Sequence, residues 1–230
     1  MKYPERHDIL TLSREGRIEA LTNLEKMSPE AEAALSRHLT LPVIYTGRNE
    51  ADTGRLKIGI SFPERICGMR IRTASSVSPE KIGSVTDPWS IPVWQIRDNR
   101  YLNMILEIRK LAAGYHIETG IYGAAAMEAV TGLNYLHENS DIDLVFRNVS
   151  GDSLYSFAET LYRTEELRGI RIDAEVRIKN LFCEPQADPE IYRDGYVKLK
   201  ELVSSQSTVI VKGSGNPYLA GRLEVINHLS

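Results

Sequence analysis

The stretch "GIYGAAAMEAVTGLNYLHENSDIDLVF", residues 120–146, changes its rhythm twice. It opens as a short strand that runs into glycine, continues as a helix, and ends in an apolar run carrying two carboxylates. The helix reading rests on "AAAMEAVTG": alanine, methionine and glutamate are strong formers, and Gly132 is suited to stop them. The closing strand reading rests on "SDIDLVF", 140–146. Successive side chains of a strand alternate faces, so Asp141 and Asp143 share one surface while Ile142 and Leu144 point into the core.

Two like charges so placed raise one another's pKa unless a cation or base neutralises them. Mg²⁺ suits the task, being a hard ion that takes oxygen ligands and shares its remaining positions with water and substrate phosphates. A solvated strand face is the commoner explanation of an isolated D-x-D, so the flanks must decide. Upstream, Tyr122-Gly123-Ala124 ends a strand and opens a helix, and the free N–H groups of that first turn can donate to phosphate oxygens. Gly123 lets phosphates come close, although a plain turn glycine is the competing reading. Downstream, "IRIDAEVRI" puts Asp173 and Glu175 on one face of a later strand, where a third carboxylate can join the pair. In the competing reading, their charges pair with Arg171, Arg177 or Lys179.

Around this centre, "RYLNMILEIRKLAAGYH" carries Leu102, Ile105, Ile108 and Leu111 on one helical face. "DSLYSFAETLYRTEEL" does the same with Leu154, Phe157, Ala158 and Leu161. Alternating helices and strands predict an α/β layer packed on a small mixed sheet. Earlier in the chain, "SPEAEAALSRHL" begins like a helix: Ser28 caps, Pro29 suits the first position, Glu30 and Glu32 complement the dipole, and Ala31, Leu35 and Leu39 keep helical spacing. It is the one helical segment expected in the first hundred residues. "LPVIYTG", "RLKIGIS" and "ICGMRIRTA" read as strands. Pro88, Pro92 and the turn-prone Asp98-Asn99 mark a boundary. The expected fold is α+β: a small, mostly β N-terminal domain over 1–95 that binds substrate or carrier, followed by a catalytic domain with a mixed sheet over 96–230.

The chain has 230 residues, 42% hydrophobic and 26% charged, which suits a soluble globular protein. A net charge of −3 argues against a protein whose main work is gripping nucleic acid. Cys67 and Cys183 stand far apart without a CxxC partner, which suggests neither zinc nor a disulfide framework. No stretch approaches the about 18 apolar residues of a membrane span, so a cytoplasmic location is expected, with neither membrane nor nucleic acid as partner.

The glycine turn, helix, paired Asp strand and acidic strand together resemble the nucleotidyltransferase fold. More closely, residues 120–146 resemble the signature of the malonate decarboxylase holo-acyl carrier protein synthases, the phosphoribosyl-dephospho-CoA transferases. Their "LTG-x-x-Y-L" is matched by Val130-Thr131-Gly132 with Tyr135-Leu136, and their "SD-h-DL" by Ser140-Asp141-Ile142-Asp143-Leu144. "RHDIL", "IGISFPERICGMRIR", "IDAEV", "DGYVKLKEL" and "VIVK" extend the similarity weakly along the chain. Ala124 and Met127 stand where the family usually has a serine and an aromatic residue, and Ala174 where it has glycine.

The resemblance implies that a triphosphoribosyl derivative of dephospho-CoA is the donor. The acceptor it implies is a serine on the acyl carrier protein subunit of malonate decarboxylase. Asp141, Asp143 and Asp173, with Glu175 a second choice for the third carboxylate, would hold Mg²⁺ and carry catalysis. Gly123, Ala124, Ser140, Arg70, Arg72 and Lys212 would contact substrate phosphates, with Arg65, Lys198 and Lys200 as further basic candidates. His7 is expected to be a structural or surface residue. The alternatives are another Mg²⁺-dependent nucleotidyltransferase acting on a protein or small molecule, or a catalytically weakened module that binds carrier or nucleotide.

Overall fold

The computed structural model describes residues 3–25, 28–183, 192–213 and 217–229. Ser214 and Gly215 of "TVIVKGSG" and the first two residues of the chain lie outside them.

The first part builds β1 (Ile9–Leu12), α1 (Arg14–Thr22), α2 (Pro29–Arg37), β2 (Val43–Asn49), β3 (Leu56–Ile66), β4 (Met69–Val77) and β5 (Ile82–Thr86). Its five strands pair antiparallel in the order β4-β3-β2-β1-β5. One face, with Leu56, Ile58, Ile60 and Phe62 from β3, joins a core closed by α1 and α2. The other face turns towards the second part of the chain.

Three expectations change here. The first hundred residues hold two helices in place of one: α1 is capped by Ser13, but only Gly16 and Ala20 are buried on it, so it lacks a strong apolar stripe. "ICGMRIRTA" is the end of β3, a turn and the start of β4. Cys67 and Gly68 both have positive φ, 49° and 79°, the geometry of a tight hairpin turn between twisted strands. In α2, Ser28 caps as expected, but the helix stops at Arg37 and Leu39 is exposed beyond it.

The second part runs α3 (Asn99–Gly114), β6 (Glu118–Ile121), α4 (Gly123–Thr131), β7 (Ile142–Arg147), α5 (Gly151–Arg168), β8 (Ile172–Cys183), β9 (Tyr192–Lys198), α6 (Leu199–Ser204), β10 (Thr208–Val211), β11 (Tyr218–Gly221) and α7 (Arg222–Asn227). Its larger sheet, β6-β7-β8-β9, is mixed: β7 and β8 are parallel and joined through α5, and the outer pairs are antiparallel, while β10 and β11 pair antiparallel as a second, two-stranded sheet. The fold is α+β, as the patterning predicts. Gly132 ends α4 in the left-handed conformation at φ 69°, and Leu154, Phe157, Ala158 and Leu161 of α5 are all buried. Among the described residues no helix is long and apolar enough to cross a membrane.

Candidate active site

The turn between β6 and α4 fixes the centre. Gly123 is the first residue of α4 and has φ 62°, a conformation that favours glycine. A Cβ there would lie 1.9 Å from Asp143 Oδ2, so any other residue would displace that carboxylate. The Ala124 N–H at the start of the helix favours the charged form of Asp143.

Asp143 stands directly beside Asp173 in the parallel pairing of β7 with β8. Burial, followed by the charge of Asp173, pushes the Asp143 pKa up to about 7. Asp173 contacts the Lys198 ammonium. Asp141 lies just before β7 rather than inside it, and its carboxylate accepts two hydrogen bonds of 2.7 Å from exposed Arg171. An exposed pair of this kind contributes little and opens at small cost.

These three carboxylates are oxygen donors, and one has its charge suppressed by burial and by a like neighbour; that donor set fits a hard divalent cation. Among the described residues, no three His, Cys, Asp or Glu side chains form a ready-made metal cage. Mg²⁺ is content with one or two protein carboxylates, with water and phosphate completing its shell.

Glu175 is engaged elsewhere. Its side chain is buried, and four basic groups surround it: His7 Nε2 at 2.7 Å, Arg6 at 3.4 Å, Lys198 at 3.3 Å and Lys212 at 3.5 Å. Burial works against its charge, yet the hydrogen bond with His7, together with Arg6 and Lys198, holds it far below the usual carboxylate range. Burial lowers the His7 pKa to about 4, so at neutral pH the ring is uncharged. The ring stacks on Tyr122, with centroids 3.8 Å apart. Lys212 reaches this cluster because it bridges to Tyr196 on β9.

The signature loop after α4 ties the two parts of the chain together. Buried Glu128 accepts hydrogen bonds from the N–H groups of Arg97, Tyr135 and Leu136 at 2.9 to 3.1 Å. Tyr135 in turn donates through its hydroxyl to the Ser61 carbonyl on β3, 2.8 Å away, and its own carbonyl accepts from Arg70. Arg70 lies 5.5 Å from the Tyr135 ring centre, and burial, with Arg65 and Arg72 nearby, lowers its pKa to about 10. Ser140 Oγ accepts from the His137 N–H at 2.9 Å and from Arg65 at 3.3 Å, so it holds its own turn closed.

Two clefts meet at Asp143 and share Arg70 and Arg72. One, of about 640 Å³, lies between the N-terminal sheet and the start of α4 and includes Arg6, His7, Tyr122 and Gly123. The other, of about 410 Å³, includes Arg65, Ala124, Ser140, Asp141 and Arg171. The structure therefore gathers Gly123, Ala124, Ser140, Asp141, Asp143, Arg70 and Arg72 at one place, with Asp173 beside Asp143. It places Glu175 and Lys212 together in the neighbouring buried cluster. Sequence reasoning missed Arg6, Tyr122 and Glu128 and did not foresee that His7, expected to be structural or on the surface, is buried against Glu175. Glu128 had a visible signal, a lone carboxylate in a helix of small apolar residues, whereas His7 had none, since its partner is 168 residues away.

Carboxylates at a helix N-terminus beneath several arginines suit an enzyme that moves a phosphate-linked group. The family described as "Phosphoribosyl-dephospho-CoA transferase MdcG C-terminal domain" matches residues 93–222, more than half of the chain. This chain belongs to that family, and it is a transferase. It is 24% identical over 213 residues to the phosphoribosyl-dephospho-CoA transferase of Xanthomonas euvesicatoria pv. vesicatoria, covering 91% of this chain and 90% of the relative. It is 23% identical over 174 residues to the protein of the same name from Bradyrhizobium diazoefficiens, covering 75% and 76%. No solved structure matches the chain.

Proposed function

We propose that this protein transfers the phosphoribosyl-dephospho-CoA group from its triphosphate precursor to a serine of the malonate decarboxylase acyl carrier protein, in the cytoplasm. The observation that carries this reading is Asp143 beside Asp173 at the meeting point of two arginine-bearing clefts. The serine oxygen forms a bond to the α-phosphorus, the bond from that phosphorus to the β-phosphate oxygen breaks, and pyrophosphate leaves. The serine proton passes to Asp173. Asp141, Asp143 and Asp173 would hold Mg²⁺, which when bound lowers the charge barrier to attack and departure. Arg70 and Arg72 bind the phosphates of the donor, and Arg70 is held in place for this by the Tyr135 carbonyl. The N–H groups of Gly123 and Ala124 add a positive edge to the same pocket. Glu175, neutralised by Arg6, Lys198 and Lys212 and hydrogen-bonded to His7, anchors the N-terminal segment behind the site.

The test is transfer of labelled prosthetic group to the carrier, followed together with pyrophosphate release. Asp143→Asn and Asp141→Ala are expected to fold and to lose activity by about 100-fold or more. Full activity in either variant removes that residue from the site. Binding of donor and carrier by the wild type without pyrophosphate release would instead identify a binding module, a reading that Ala124 in the family's serine position favours.

A further inference from the structure

The larger cleft has a floor that the phosphate chemistry does not use. On the outer face of the N-terminal sheet, Ile44 of β2, Gly59 of β3 and Ala74 of β4 are direct cross-strand neighbours, and all three line this cleft. A Cβ built at Gly59 would meet nothing closer than the Ile44 carbonyl oxygen at 4.0 Å, so open space lies above the strand there. The backbone of Gly59 is not in the left-handed region, so its lack of a side chain serves no turn. The row is a flat, apolar patch in the middle of a sheet.

The next row on the same face, Ser61 opposite Arg72, begins the charged half of the cleft that ends at Asp143. Rows two residues apart on a strand are separated by about 7 Å, roughly the span of a ribose between a phosphate and a base. A second observation also points to a ligand: Tyr122 lines the same cleft, and its hydroxyl is buried without a hydrogen-bond partner among the described residues. A buried hydroxyl of this kind is costly unless something completes its hydrogen bonding.

We propose that the Ile44-Gly59-Ala74 row is the platform for the purine nucleoside of dephospho-CoA, with its anionic groups directed to Arg70 and Arg72. This deepens the transfer reading above and rests on it for the identity of the nucleotide. The N-terminal sheet thereby selects the donor, and Gly59 is glycine because a flat ring needs the space that a side chain would take.

Calorimetric titration with dephospho-CoA, without metal, tests this directly. Gly59→Val places a β-branched side chain on a strand that tolerates it, and Ala74→Leu fills the cleft from the neighbouring strand. Both are expected to retain cooperative melting and to weaken binding by about tenfold or more. Adenosine 5′-diphosphate is expected to compete with dephospho-CoA, and 4′-phosphopantetheine not to. Unchanged affinity in both folded variants, competition by 4′-phosphopantetheine alone, or no binding to the wild type overturns the platform. The transfer assay reads the parent proposal separately. A wild type that binds dephospho-CoA through this row yet modifies no carrier overturns transfer alone, and variants that bind normally beside an active wild type overturn the platform alone.

Discussion

At Gly123 one residue meets two requirements, a positive φ and a carboxylate where a Cβ would stand. Gly123→Ala is therefore expected to cost about 1–3 kcal/mol in strain and to move Asp143, lowering transfer far more than stability alone explains. Chemical denaturation beside a transfer assay separates the two effects; a folded, fully active Gly123→Ala would show that Asp143 does not depend on this turn. Asp143 carries a second expectation. Its folded pKa, about 7, lies above its ordinary value of 3.8. Its contribution to stability is thus fully present below about pH 4 and is lost as pH rises through about 7. Comparison with Asp143→Asn isolates this group from the oppositely shifted Glu175. In chelator, the melting temperature of the variant relative to wild type is expected to rise between pH 5 and 8, and a flat difference would refute the shift.

Among the elements, those with a strong apolar stripe and a chemical stop were legible in sequence. α3 and α5 announce themselves through periodicity, and α4 through strong helix formers stopped at Gly132. α1 was hidden because a helix that buries only Gly16 and Ala20 leaves no hydrophobic pattern. The β3–β4 turn was hidden because Cys67 does a job more often given to asparagine. For the site, alternation put Asp143 and Asp173 on their strands, but the register that sets them side by side, and the partners of Glu175, are products of tertiary packing. The loop after α4 shows how a recognisable sequence pattern can have a structural origin. Glu128 holds it through three backbone N–H groups, and Tyr135 then reaches β3. Glu128→Ala leaves those donors unpaired in the interior and is expected to destabilise the protein by about 3 kcal/mol or more. Urea unfolding measures this, and a loss under about 1 kcal/mol would mean that the loop finds other partners.

Across the whole molecule, the five-stranded and the four-stranded sheet are joined around the clefts themselves. Tyr135 reaches Ser61, Arg70 reaches the Tyr135 carbonyl, and Arg6 and His7 of the N-terminal segment meet Glu175 on β8. A cleft bounded by both parts keeps its shape only while these links hold, so stability and donor binding are coupled through them. The Glu175 link is the one with most at stake. Its removal leaves Arg6, Lys198 and Lys212 crowded without their shared counter-charge and His7 without its hydrogen-bond partner, whereas loss of the Tyr135 hydroxyl leaves a single carbonyl unpaired. Tyr135→Phe is expected to cost about 1–2 kcal/mol and Glu175→Ala about 3–5 kcal/mol. Because the Glu175 cluster lies at the junction, its loss is expected to uncouple the N-terminal sheet, so that calorimetry of Glu175→Ala resolves two transitions where the wild type shows one. A single transition within about 1 °C of the wild type would show that the buried charge cluster does not join the two parts.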